Sequence, residues 1–225
     1  MRITKLLAIG AACTCLSQSA CDRTATQSSA DTVKPAGTES PDMQRRTSEY
    51  TSVQLAADTS ALTVKERQML PLLIAAAKAM DPIYWAQTYG SRDSLMAQVG
   101  DAGVQRFVDI NYGPYDRLDN NAPFVPEVGP RPPGANLYPK DITKDEFQAA
   151  VAKGPPAHAD SLKSLYTLVR RAPDNSLQAI PYHEAFKQEN QIASDKLRAA
   201  AALAEDPGLK KYLELRSKAL LDDNY

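Results

Sequence analysis

In the stretch YHEAFKQEN, His183 and Glu184 stand side by side at the start of a run with helical spacing. Such a pair could give a zinc-bound water one imidazole ligand and one general base, provided a second imidazole follows one turn later on the same side. The residue one turn on is Lys187, whose cation would repel a metal, and Glu189 lies too far round the helix to replace it. His183 therefore reads as a structural histidine that partly caps its helix. His158, the other histidine, sits in GPPAHAD among prolines and small residues, on a connection. No serine lies in a Gly-x-Ser-x-Gly elbow and no Gly-rich phosphate loop is present. A hydrolase of unrelated type built on Asp116, Glu184 or His158 thus has no motif behind it.

Asp116, Asp119, Asn120 and Asn121 form an oxygen-rich cluster, but their donors do not alternate and no closing Glu follows at calcium-loop spacing. Their side chains are better suited to holding a turn by bonding to nearby backbone. The cluster lies in the least helix-like stretch of the chain, residues 111–147, which is dense in Tyr, Pro, Gly, Asn and Asp. Prolines at 114, 123, 126, 130, 132, 133 and 139 restrict the backbone, and Tyr112, Tyr115, Phe124 and Tyr138 offer large surfaces to bury, so the loop is expected to be ordered without regular structure.

The elements around it are predominantly helical. Thr63 with Glu66 has the spacing of a capping box and opens VKERQMLPLLIAAAKAM, in which Pro71 should kink the helix or start its main body. Asp81 and Pro82 supply an N-cap and a first-turn proline for a helix that carries Tyr84 and Trp85 and stops near Gly90. Ser91 and Asp101 cap two short helices, the second holding Val104, Phe107, Val108 and Ile110. After the loop, Thr143 with Glu146 repeats the capping-box spacing and Gly154 should close that helix. Two apolar runs flanking Pro173-Asp174-Asn175-Ser176 predict a β-hairpin. EAFKQENQIASDKLRAAAALAED and PGLKKYLELRSKALLDD read as two long helices divided at Asp206 and Pro207. The fold class is mainly α: a multi-helix lobe with one small β-hairpin and a long Pro/Tyr-rich ordered loop.

Residues 1–20, with Arg2 and Lys5 before the apolar run LLAIGAACTCL, read as a signal peptide. Cys21 after LSQSA is the expected lipidation point, although Gln18 stands where Leu is usual. This places the mature chain in the cell envelope as an exported, membrane-anchored lipoprotein facing the periplasm. Cys13 and Cys15 fall in the removed run, so the mature chain keeps only Cys21 and cannot form an internal disulfide. Residues 21–58 are poor in large apolar side chains and read as the lipidated N-terminus and flexible linker, with a short helix near its end. Residues 59–225 are long enough for a domain with a sizeable core. With 26 Lys and Arg against 27 Asp and Glu, the formal net charge of −1 leaves no footprint for nucleic acid.

NYGPYDRLDNNAPFV, PPGANLYP, DITKDEF, YTLVRR, IPYHEAF and AEDPGLKKYLELRSKALLDD, in this order, resemble the N-terminal part of bacterial members of the dipeptidyl peptidase III family. The similarity runs from about Thr63 to the end of the sequence. It implies a zinc exopeptidase of two lobes around a wide cleft, releasing dipeptides from peptide N-termini, with residues 59–225 as the N-terminal helical part of the upper lobe. The family's zinc motif, His-Glu-x-x-Gly-His with a further Glu downstream, is absent here. The resemblance therefore implies zinc for the full-length family, no cofactor in this chain, and no activity of the chain alone. Asp222 and Asp223 oppose the dipole at the end of the last helix, which favours a truncated product whose uncovered apolar face would associate with other surfaces. Under this resemblance the loop packs the lobe and borders a peptide cleft through Asn111, Tyr112, Tyr115, Asp116, Arg117, Asn136 and Tyr138. The alternative is a free-standing, membrane-tethered helical module that binds peptides or another envelope protein.

Overall fold

The computed structural model describes residues 40–225. The expected signal peptide, Cys21 and the first part of the linker lie outside the described residues. The stretch expected to serve as a tether contains helix α1 (Pro41–Ser48), whose N-cap Ser40 accepts from the Met43 amide. This helix does not stand apart. Met43 and Thr47 are buried against α5 (Ala102–Asn111), and Arg46 reaches Asp116 at 3.2 Å.

Cap residues place most of the other helices where the spacing predicts them. Thr63 and Glu66 form a complete capping box on α2 (Val64–Lys78), and α2 runs without interruption through an exposed Pro71. α3 (Asp81–Thr88) starts one residue earlier than its Asp-Pro signal implies, with Met80 at the cap and Asp81 already in the first turn. Ser91 caps α4 (Arg92–Gln98) and Asp101 caps α5. Thr143 caps α6 (Lys144–Lys153), but the Glu146 half of the box is not made there. Glu146 instead pairs with Arg171 at 2.7 Å, and Asp141 grips the same guanidinium at 2.7 Å. Side-chain bonds to Arg171 hold both carboxyls below their usual range.

α9 (Lys187–Leu203) lies between α2 and α10 (Pro207–Asp222), and the three form one helical layer. Small buried residues on α9, Ala193, Ala200 and Ala201, let Met69, Ala76, Leu213 and Leu220 approach closely. The predicted hairpin is present as β3 (Thr167–Arg171) and β4 (Leu177–Pro181), paired antiparallel with Val169 opposite Ala179. Its inner face meets α7 (Pro156–Lys163) around Leu162, Val169 and Leu177. α7 was not expected from the sequence: the Pro155-Pro156 pair ends α6, yet Pro156 is also a pre-organised first-turn residue for a new helix. His158 belongs to this helix, packed over Gly154, where a β-carbon would come within 2.7 Å of its ring.

The long helix expected to begin at Glu184 is broken at Phe186. Tyr182–Ala185 form a separate turn, α8, and Phe186 leaves helical geometry (φ −124°, ψ 36°) to bury its ring beside Ile83 and Leu168. Core burial at one aromatic position overrides the continuous helical spacing. The loop differs in another way: it contains a second, minimal antiparallel pair, β1 (Tyr115–Asp116) with β2 (Ala122–Pro123).

Candidate functional site

The loop after α5 is ordered by burial and by hydrogen bonds. Pro114, Tyr115 and Val125 are buried, and Phe124 stacks edge-on to Phe107 at 4.7 Å. Tyr112 turns the chain in a left-handed conformation (φ 52°, ψ 42°) at the end of α5. Asn120 and Asn121 take the same sign of φ, which their short polar side chains tolerate. The backbone oxygen of Asp116 accepts from the amides of Asp119 and Asn121, and its carboxylate accepts from the Leu118 amide at 3.0 Å and from Arg46. The oxygen-rich cluster thus serves as the turn of the β1–β2 pair. Among the described residues, no group of three or more His, Cys, Asp or Glu is arranged to hold a metal ion.

Asn111 is the hub beneath the turn. Its side-chain amide donates to the Phe107 carbonyl at 3.0 Å, and its oxygen accepts from the Arg117 amide at 3.0 Å and the Tyr50 hydroxyl at 3.2 Å. The Asn111 backbone carbonyl accepts from Arg117 Nε at 3.0 Å, so the guanidinium is held across the end of α5. From there Arg117 Nη2 donates to the Tyr84 hydroxyl at 2.6 Å. Tyr84 is edge-on to Tyr112 at 5.2 Å, and Tyr112 lies against Trp85 at 5.9 Å.

These residues enclose a recess of about 270 Å³ lined by Tyr84, Thr88, Asn111, Tyr112, Gly113, Tyr115, Arg117, Asn121 and Arg131. Tyr112 also borders a wider hollow of about 810 Å³ that runs past Asp81, Trp85, Arg92 and Asp109. Burial pushes the Tyr115 hydroxyl up from the usual tyrosine range, with Tyr89 adding to the shift and Arg131 opposing it. Burial, followed by the Asp116 charge, does the same to Tyr50. Both hydroxyls are therefore neutral at ordinary pH, and that of Tyr50 serves as a hydrogen-bond donor to Asn111.

Of the seven residues singled out on the loop, the structure brings Asn111, Tyr112, Tyr115 and Arg117 to this recess. Asp116 lies behind it, buried and paired with Arg46. Asn136 and Tyr138 are packing residues elsewhere. Asn136 clamps the end of the loop to α3, donating from its side chain to the Ala86 carbonyl at 2.6 Å and from its backbone to the Gln87 carbonyl at 2.9 Å. Tyr138 packs edge-on to Phe147 at 5.8 Å, over Gly134, where a β-carbon would lie 2.6 Å from its ring. Tyr84, Thr88 and Arg131 were missed because they are distant in sequence and only the fold gathers them. The His183-Glu184 pair is also structural: His183 gives its backbone amide to Asp223 Oδ2 at 3.1 Å, with Nδ1 2.8 Å from the same oxygen. Asp223, expected only to oppose the helix dipole, is the left-handed residue ending α10 and anchors α8 to it.

No protein-family profile matches the sequence. Among curated proteins, Nudix hydrolase 3 of Arabidopsis thaliana is 25% identical over 238 residues, covering 81% of this chain and 31% of that protein. Among solved structures, dipeptidyl-peptidase III from Corallococcus sp. strain EGB superposes with a TM-score of 0.77 at 34% identity, covering 82% of this chain and 36% of that one. DPP III from Caldithrix abyssi gives 0.76 at 34% identity, over 81% of this chain and 35% of its own. The chain thus spans about a third of the length of each relative. Over about four-fifths of its residues this chain is thus similar, in sequence and in backbone, to about a third of two dipeptidyl-peptidase III structures.

Proposed function

We propose that this chain provides part of the peptide-binding lobe of a dipeptidyl peptidase III-like exopeptidase and does not itself release dipeptides. The observation that carries the reading is the 34% identity, at a TM-score of 0.77, to a dipeptidyl-peptidase III structure over 82% of the chain. The described residues do not fit a zinc site of that class. His183 is engaged by Asp223, His158 packs over Gly154, and among the described residues no group of three or more His, Cys, Asp or Glu could hold a metal ion. No step through a metal is derived for this chain. Its own contribution is a preformed surface: a loop held rigid by buried aromatics, presenting hydroxyl, amide and guanidinium donors at the recess. The purified chain, supplied with zinc, is expected to give no dipeptide release from a chromogenic dipeptide substrate. Chelator-sensitive release by the chain would overturn the reading.

The uncovered apolar face expected of a partial lobe has one observation behind it. Tyr212, Leu215 and Tyr225 on and after α10 are exposed, as are Leu165 and Tyr166 before β3. Tyr166 stacks on Tyr225 at 4.7 Å, and Tyr225 borders one hollow with Tyr212 and Leu215, so these four side chains form one apolar patch. The patch is expected to drive concentration-dependent association. A sedimentation profile that stays monomeric at every concentration would instead favour the free-standing module that binds peptides or another envelope protein.

A further inference from the structure

The recess at the end of α5 carries two arginines and no carboxylate in its lining. Arg46 answers Asp116, Arg92 answers Asp109 and Arg171 answers Asp141 and Glu146, whereas neither Arg117 nor Arg131 forms an ion pair among the described residues. Asp116, the neighbour of Arg117, is turned away and spent on Arg46. Asp119 borders the adjoining hollow with Arg131 without pairing to it.

The two guanidiniums are not equally committed. Arg117 is fixed by the Asn111 carbonyl through Nε and by the Tyr84 hydroxyl through Nη2, which leaves Nη1 without a hydrogen bond among the described residues. Arg131 makes one long contact, 3.5 Å from Nη1 to Asn121 Oδ1. One arginine is therefore pre-positioned and the other is available to close on a ligand. Two like charges at one small recess repel, and an anion between them relieves that repulsion while gaining charge-assisted hydrogen bonds. A planar carboxylate suits such donors better than a point charge does, because a guanidinium presents parallel N–H groups.

We propose that this recess is a carboxylate-binding subsite, taking the free carboxylate of a short peptide between Arg117 and Arg131. The assignment rests on the peptide-binding reading given above for its choice of ligand, but it needs neither zinc nor turnover. If the chain proved to release dipeptides by itself, the subsite would stand. If the subsite failed, the likeness to the peptidases would be untouched.

Trp85 is the single tryptophan of the chain and lies against Tyr112 at the recess, so its emission can report occupancy. The 225-residue chain is titrated with Ala-Ala, with Ala-Ala amide and with inorganic phosphate, and calorimetry checks each response. The two dipeptides share the ammonium and differ only at the carboxylate. Saturable binding of Ala-Ala is expected, with the amide about tenfold weaker, the scale of one lost charge-assisted contact. Arg131→Gln should weaken Ala-Ala by about the same factor and erase the preference over the amide, while Arg131→Lys should retain part of it. Because Arg131 is exposed and holds no structural partner closer than 3.5 Å, neither variant should disturb folding, which the melting curve verifies. No saturable response to Ala-Ala, equal binding of acid and amide, or an undiminished preference in Arg131→Gln would overturn the proposal. Tight phosphate binding without an Ala-Ala response would also overturn it, by making the recess a site for inorganic anions.

Discussion

Replacing Phe107 by alanine is expected to destabilise the chain by about 3–5 kcal/mol, the range for truncating a fully buried phenylalanine. Its side chain has no exposed surface, and its ring meets Phe124 of the loop edge-on at 4.7 Å and Tyr50, just after α1, at 5.8 Å. It is therefore the point at which α1, α5 and the loop share one packing contact. The cavity cannot collapse easily, because Phe124 is fixed by its amide to the Pro114 carbonyl and Tyr50 by its hydroxyl to Asn111. A loss of this size consumes a large part of a typical domain's total stability of about 5–15 kcal/mol. Urea unfolding followed by Trp85 emission measures it. A loss below about 1 kcal/mol would show that the loop relaxes into the space, contrary to a tightly packed interior.

Asn111→Leu is the second large effect expected, for a polar reason. Leucine nearly matches the side chain in volume but strands the Arg117 amide and the Tyr50 hydroxyl, while the Phe107 carbonyl loses its second donor and keeps its helical partner. A buried polar group left unpaired costs about 1–3 kcal/mol. Arg117 is exposed and can rehydrate, so the net loss should be about 2–3 kcal/mol, not two full penalties. The change should reach beyond stability. With the Arg117 amide unpaired, the backbone that carries Arg117 loosens although its guanidinium keeps the residue-111 carbonyl, and the emission of Trp85 beside Tyr112 should shift before global unfolding. An unfolding midpoint and native emission equal to those of the parent chain would refute the hub role. Tyr50→Phe, which removes one of the three bonds and no buried volume, should cost about 1 kcal/mol or less and ranks the contributions.

Local signals in the sequence determined where half of the helices start. Thr63, Ser91, Asp101, Thr143 and Asp206 each accept a hydrogen bond from the third following amide, and that interaction needs only residues within one turn. The hairpin was equally legible, since Asp174 bonds to Ser176 and Asn175 adopts positive φ within the turn. The ordered loop could be inferred from its prolines and tyrosines because those residues carry stiffness and buriable area wherever they are placed.

Long-range contacts decided the rest. Helical spacing runs through Phe186, and only a pocket formed by Ile83 and Leu168 breaks the helix there. Glu146 had the right spacing for a capping box, but Arg171, 25 residues away, outcompetes one backbone amide for its carboxylate. His183 looked like a fragment of a metal motif until Asp223, 40 residues on, took both its backbone amide and its ring nitrogen. The recess likewise joins Tyr84, Asn111, Arg117 and Arg131 from separate elements, so no local spacing could announce it. Caps and turns are closed by short-range hydrogen bonds that the chain makes with itself, whereas burial and ion pairing depend on which distant residues the fold delivers to the same place.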